Sequence, residues 1–242
     1  MSVRPPARKW ASIEDANLRI EKEYLVQHGY YAPSVTGVAS YVLLMNGAND
    51  ALAGVAIANG DDADGRALSF TSAATGASLS GINGGVGAIY NMTRPQWNPF
   101  IAFRFKLSQI VTQRFWFGLF SVSPVGGDVP VSCVGIRAST AAANTNFVAY
   151  SSDAALNNIQ AFPTAVPQDT AVHWAFITFK NAGLGVSIQL DNQKVDFTTR
   201  LPAVATPLAV SVVVEETAAA AKVLRIYRGY VEHNELAINI LQ

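Results

Sequence analysis

The chain predicts an all-β protein, an antiparallel sandwich preceded by a short helical N-terminal arm, and three observations lead there. From Thr36 onward the apolar residues recur with a period of two instead of the helical period. The alternating runs are short and are joined by turn residues such as Asn46-Gly47 and Asp191-Asn192. The most charged, helix-patterned segment lies ahead of them. Strands of this kind with no helices between them pack as two sheets face to face. The expected division is an arm over residues 1–35 and a sandwich over residues 36–242.

In the arm, Ser12-Ile13-Glu14-Asp15 resembles a capping box, with Asp at the position usually held by Glu or Gln. Ile13, Ala16, Leu18, Ile20, Tyr24 and Leu25 follow at helical spacing, and Gly29 and Pro33 end the pattern. One helix over about residues 12–27 is expected.

Within the sandwich, Ser40–Met45, Gly54–Ala58 and Arg66–Thr71 are the first expected strands, and the glycine-rich Gly76–Gly87 is expected as a loop or bulged strand. In Phe100–Leu107, Ile101, Phe103, Phe105 and Leu107 share one face, and Arg104 and Lys106 share the other. In Arg114–Ser121, Phe115, Phe117 and Leu119 oppose Trp116 and Phe120, so this strand is apolar on both faces and central. Ser132–Arg137, Asn146–Ser151, His173–Lys180, Val186–Leu190, Lys194–Phe197, Leu208–Val214 and Val223–Val231 complete the series. Ala218-Ala219-Ala220-Ala221 is too short for a stable helix and joins two strands as a loop or single turn.

Composition limits the function classes. Of the 242 residues half are apolar and 14% are charged, against roughly 25% in an average soluble domain. A surface short of charge suggests covered area, hence self-association or partner proteins. With 17 basic and 17 acidic residues, the chain lacks the basic face that nucleic acid requires. The one basic cluster, Arg4, Arg8 and Lys9, sits in the arm. No secretory h-region follows it, and no run of about 18 apolar residues could span a membrane. Synthesis in a host cytoplasm is expected. Cys133, the single cysteine, lies in an apolar run and reads as a small core residue.

The strand order resembles the concanavalin A-like (laminin G-like) jelly-roll sandwich over roughly residues 85–234. The residues that carry the likeness are Phe103-Arg104-Phe105, Phe117-Gly118-Leu119-Phe120, Val134-Gly135-Ile136-Arg137 and Trp174-Ala175-Phe176-Ile177. The hairpin Val186–Val195 and the last strand, Val223–Val231, complete it. That superfamily holds lectins, hydrolases, lyases and virion proteins alike.

Two-carboxylate hydrolases of the superfamily place Glu-x-Asp-x-Glu on one strand, which aims the acids into one cleft. This chain has no such motif, and Glu215-Glu216 reads as a solvated strand end with its side chains on opposite faces. Lyases of the fold gather Arg, His and Tyr on the concave face. Arg104, Tyr150 and His173 are the nearest set here, and His173 is expected as a satisfied, partly buried side chain beside Trp174. Asp61, Asp62 and Asp64 could offer calcium several oxygens, although the loop lacks the EF-hand ligand positions. A polar turn without a metal is the expectation, and no cofactor is expected. Tyr90, Trp97, Tyr150 and Trp174 are the aromatic candidates for contact with a glycan or a partner.

A helical arm ahead of a sandwich also resembles bacteriophage virion surface proteins, with capsid decoration, head-fibre and tail proteins as examples. The expectation is therefore a non-enzymatic structural or adhesive virion protein. Its arm, through Arg4, Arg8, Lys9, Ile13, Leu18 and Tyr24, attaches to other virion proteins, and the sandwich faces outward toward cell-surface glycans. The alternatives are a carbohydrate-binding module or lectin and, behind it, a glycan-active hydrolase or lyase.

Overall fold

A computed structural model describes residues 56–74, 79–83, 92–122, 124, 132–218 and 220–232. The arm, the Ser40–Met45 strand and the boundary at residue 36 lie outside the described residues. The rest is an antiparallel β-sandwich of two facing sheets.

The first sheet holds β1 (Ala56–Asp62), β2 (Gly65–Thr71), β5 (Phe100–Leu107), β10 (Val172–Lys180), β11 (Gly185–Leu190), β12 (Gln193–Phe197) and β14 (Val223–Glu232). Its order is β1-β2-β14-β5-β10-β11-β12. The second holds β3 (Leu79–Asn83), β4 (Met92–Thr93), β6 (Gln113–Phe120), β7 (Cys133–Ser139), β8 (Val148–Ser152), β9 (Asn157–Ala161) and β13 (Leu208–Glu216). Its order is β3-β13-β6-β7-β8-β9, with β4 also on β13. The chain changes sheet after β2, β4, β5, β9, β12 and β13, so strands distant in sequence meet, such as β14 and β5.

Alternation decides what fills the space between the sheets. Ile101, Phe103, Phe105 and Leu107 of β5 meet Phe115, Phe117 and Leu119 of β6, with Ala175, Ile177, Ile188, Val212 and Ile226 in the same buried cluster. Phe105 stacks on Phe115 at 4.6 Å and meets Phe147 edge-on at 6.2 Å. As expected, β6 is an internal strand of its sheet. The Gly76–Gly87 segment contributes β3, which lies against β13 where Gly81, at φ 132°, lets the backbone come close to Val212.

Glu215-Glu216, expected as a solvated end, is buried instead. The strand runs on to Glu216, and the return to β14 closes over it. Glu215 pairs with Arg114 at 3.4 Å, and Glu216 accepts the amide of Ala220. The Lys222 ammonium nearby donates to the Val111 carbonyl at 2.9 Å and the Thr112 hydroxyl at 3.0 Å.

Candidate functional site

Because the odd residues of β6 and the even residues of β7 enter the core, their neighbours project from the outer face of the second sheet. Register then arranges them in rows. Val213, Trp116 and Arg137 are cross-strand neighbours, and so are Ala209, Phe120, Cys133 and Ser152. Between these rows run Ser211, Gly118, Gly135, Tyr150 and Ile159. The paired glycines leave the middle row without side chains at its centre. A Cβ on Gly118 would run into the Val134 carbonyl and one on Gly135 into that of Phe117, so both strands depend on glycine here.

Trp116, Phe120, Cys133, Tyr150 and Val213 form a buried cluster separate from the main core. The Trp116 ring meets Tyr150 at 5.7 Å and 81° and Phe120 at 6.0 Å and 86°. The Arg137 guanidinium, 5% exposed, lies 5.8 Å from the centroids of both Trp116 and Tyr150, within cation–π range. Among the described residues, the Trp116 indole nitrogen and the Tyr150 hydroxyl are buried without a hydrogen-bond partner. Buried polar atoms are nearly always bonded, so two orphans beside one guanidinium mark this face as unusual.

Burial pushes the Tyr150 hydroxyl up to about 12 and Cys133 adds to the rise. Ser152, Arg137 and Asn157 temper it, although neither Ser152 nor Asn157 closes a hydrogen bond of regular geometry to the hydroxyl. Tyr150 therefore stays protonated at neutral pH and acts as a donor. Burial also pushes the Cys133 thiol well up, which removes it as a nucleophile. The face thus combines one cation, two donors and aromatic surface. That set suits an acceptor-rich, anionic ligand.

The other predicted residues disperse. Arg104, Tyr150 and His173 do not share a face, since Arg104 lies outside the first sheet, Tyr150 outside the second, and His173 beside Phe105 and Phe147 in the core. Trp174 is 7% exposed and stacks on Phe176 at 5.6 Å and 9°. Its ring is packed, and the same holds for the fully buried Tyr150, so neither is the exposed platform expected of it. Trp97 sits half-buried in a 3-10 turn, Pro95–Trp97, with the Arg94 guanidinium 5.3 Å from its ring. Tyr90 and the arm residues Arg4, Arg8, Lys9, Ile13, Leu18 and Tyr24 lie outside the described residues.

The acidic turn is taken up by cations of this chain. Asp62 accepts from Arg225 at 3.0 Å and from the Tyr227 hydroxyl at 2.7 Å, and Asp64 holds Lys106 at 2.5 Å. Burial works to raise the Asp62 carboxyl, and Tyr227, the Asp64 amide, Arg225 and Lys106 outweigh it to leave the carboxyl low. These pairings oppose calcium at Asp62 and Asp64. Asp61 belongs to β1, and its side chain lies outside the described residues.

His173 is held at both ring nitrogens, with Nδ1 2.8 Å from Asp191 and Nε2 3.1 Å from Asp169. Asp191 also accepts the Trp174 amide at 2.9 Å. Burial disfavours charge on this ring, but hydrogen bonding and attraction to Asp191, then Asp169, outweigh it and raise the pKa. A raised folded pKa stabilises fully below the unfolded value of about 6.5 and loses that contribution as pH climbs through the folded value. In thermal melts, the advantage of the native protein over His173→Gln should shrink from about pH 6.5 upward. A gap constant from pH 5.5 to 8.5 would refute the ionic role.

No family model and no curated protein matches this chain. Solved structures do. A protein of unknown function from Shewanella oneidensis MR-1 aligns with a TM-score of 0.52 at 11% identity, over 75% of each chain. Alginate lyase A1-II', of polysaccharide lyase family 7, aligns with 0.48 at 11%, over 73% of this chain and 83% of its own. The Bacillus licheniformis β-glucanase gives 0.45 at 11%, over 78% and 96%. At such identities the likeness speaks for the fold. The expectations of a virion surface protein and of a non-enzyme are corrected here. The named neighbours are a lyase and a glucanase, and nothing in the comparisons supports either expectation.

Proposed function

We propose that the protein is a carbohydrate-active β-sandwich that takes an acidic polysaccharide on the outer face of its second sheet. The observation that carries this is the pair of orphaned donors, on Trp116 and Tyr150, set around the Arg137 guanidinium. In this reading Arg137 faces a uronate carboxylate through charge-assisted hydrogen bonds. Trp116 supplies an indole N–H and ring surface, and Tyr150 supplies a hydroxyl that is protonated at neutral pH. Gly118 and Gly135 put no side chain between the rows. Since these groups are buried, a sugar chain reaches them only as the face opens.

The test is calorimetric titration with polygalacturonate and alginate against a neutral β-glucan, with ultraviolet absorbance to follow unsaturated ends from cleavage. Binding confined to the polyuronates is expected. A hydrogen bond to a charged group is worth roughly 1.5–3 kcal/mol, so Arg137→Ala should weaken binding about 10- to 100-fold. Tyr150→Phe, which preserves the packing, should weaken it less. Equal affinity for the neutral glucan, or an Arg137→Lys protein that folds and binds as the native one does, would refute the reading.

A further inference from the structure

An open cavity of about 180 Å³ lies at the end of the second sheet where β8 begins and β9 ends, between the β7–β8 loop and the start of the β9–β10 loop. Hydrogen bonds tie its two sides together. The Phe147 amide donates to the Val166 carbonyl at 2.9 Å, and the Gln168 amide donates to the Thr145 carbonyl at 3.2 Å. The Gln168 side chain adds a bond from Nε2 to the Asn144 carbonyl at 2.7 Å. The cavity is therefore formed before any ligand arrives, which lowers the cost of binding.

Its lining has two characters. Asn144, Thr145 and Asn146 form a polar side, and Val148, Ala161 and Phe162 form an apolar one. No residue around it carries a charge. Among the described residues, the Thr145 hydroxyl and the Asn146 carboxamide bond to no other residue, and the Asn144 carboxamide oxygen is buried without a partner. An enclosed cavity of about 150 Å³ holds a benzene ring, so one six-membered ring is the size of ligand that fits here. A ring with one apolar face and hydroxyls at its edge matches both sides. A carboxylate would lose its water without gaining a partner, which disfavours an acidic ring.

Register joins this cavity to the face described above. Trp116 pairs with Arg137, Arg137 with Val148, and Val148 with Ala161, so one cross-strand row leads from the guanidinium to the cavity wall. Two strand spacings, roughly 10 Å, separate Arg137 from Ala161, the scale of neighbouring sugar units in a chain. Unlike the surroundings of Trp116, this end is open, with Thr145 and Ala161 exposed.

We infer that the cavity holds a neutral sugar ring beside the uronate that faces Arg137, so that the polysaccharide is a mixed one with neutral sugars next to its uronates. Thr145 and Asn146 meet the hydroxyls of the ring, and Val148 and Ala161 meet its C–H face. The place of the uronate rests on the function proposed above, and the cavity with its uncharged lining does not.

The experiment is calorimetric titration of the full chain with oligosaccharides of rhamnogalacturonan backbone and of hyaluronan, in both of which uronate and neutral sugar alternate, against polygalacturonate oligosaccharides of equal length. At least one alternating ligand should bind about tenfold more tightly than polygalacturonate, the effect of one or two added hydrogen bonds. Ala165→Leu, at an exposed residue of the lining, should fill the cavity and lower that tighter binding to the polygalacturonate level. Asn146→Ala adds no bulk and should remove part of the preference, which keeps the test independent of strain from the leucine. If the alternating ligands bind no more tightly than polygalacturonate while Arg137→Ala weakens both, the cavity assignment is overturned and the proposed function stands. If Ala165→Leu removes the preference while Arg137→Ala leaves every affinity unchanged, the cavity stands and the proposed function falls. Tighter binding of polygalacturonate, weakened by Ala165→Leu, would overturn the neutral ring.

Discussion

Phe105→Ala is expected to destabilise the protein by about 3–5 kcal/mol and to lower its melting temperature by roughly 10 °C. The ring is fully buried on β5 and touches three elements at once. It stacks on Phe115 of the opposite sheet at 4.6 Å, meets Phe147 ahead of β8 at 6.2 Å, and lies 5.7 Å from the His173 ring. Truncation to Ala removes apolar area and leaves a cavity between rigid sheets that cannot collapse. It also leaves the imidazole of His173 beside a void. Phe105→Leu keeps most of the volume and should cost less than about 1.5 kcal/mol. Urea unfolding of both variants separates the cavity from loss of the ring. A cost below about 1 kcal/mol for Phe105→Ala would place the stability of the sandwich elsewhere.

The strands legible in the sequence are those with one or both faces in the core. Phe100–Leu107 was predicted with the bounds it has, because Arg104 and Lys106 alternate with buried residues. β9, Asn-Asn-Ile-Gln-Ala, went unrecognised since it is an edge strand with neither face deeply buried, and its alternation carries no apolar signal. The site was less legible than the fold. Two apolar faces on β6 were visible, but Trp116, Arg137 and Tyr150 stand on three strands, and only the registers of β6, β7 and β8 bring them together. A signal for Arg137 did exist, as the charged residue on the β7 face that also holds Cys133 and Gly135. Tyr150 and Trp174, both candidates for contact, are buried, because alternation tells which face a ring takes and not whether that face is covered.

Gly118→Ala should destabilise at or above the top of the usual overpacking range, about 3 kcal/mol, although it adds a single methyl group. The added Cβ would meet backbone in the neighbouring strand, the Val134 carbonyl and the Gly135 Cα at 2.8 Å, with the Phe120 ring at 3.1 Å. Backbone in the centre of a sheet cannot yield as a flexible side-chain end can. Relief requires β6 and β7 to separate, which strains the ladder from Phe120 and Cys133 to Arg114 and Ser139. Gly185→Ala is the matched comparison. Its Cβ would come no nearer than 3.8 Å, to the Phe197 carbonyl, so it should change stability by less than about 1 kcal/mol, with reduced chain entropy in the unfolded state favouring Ala. Since Gly118 also floors the strip between Trp116 and Phe120, parting these strands shifts Arg137 away from Trp116, its neighbour across the ladder. Gly118→Ala should therefore lose polyuronate affinity even where it remains folded, and Gly185→Ala should keep it. Equal stability of the two variants in urea would mean that the close approach of β6 and β7 is not what requires glycine at position 118.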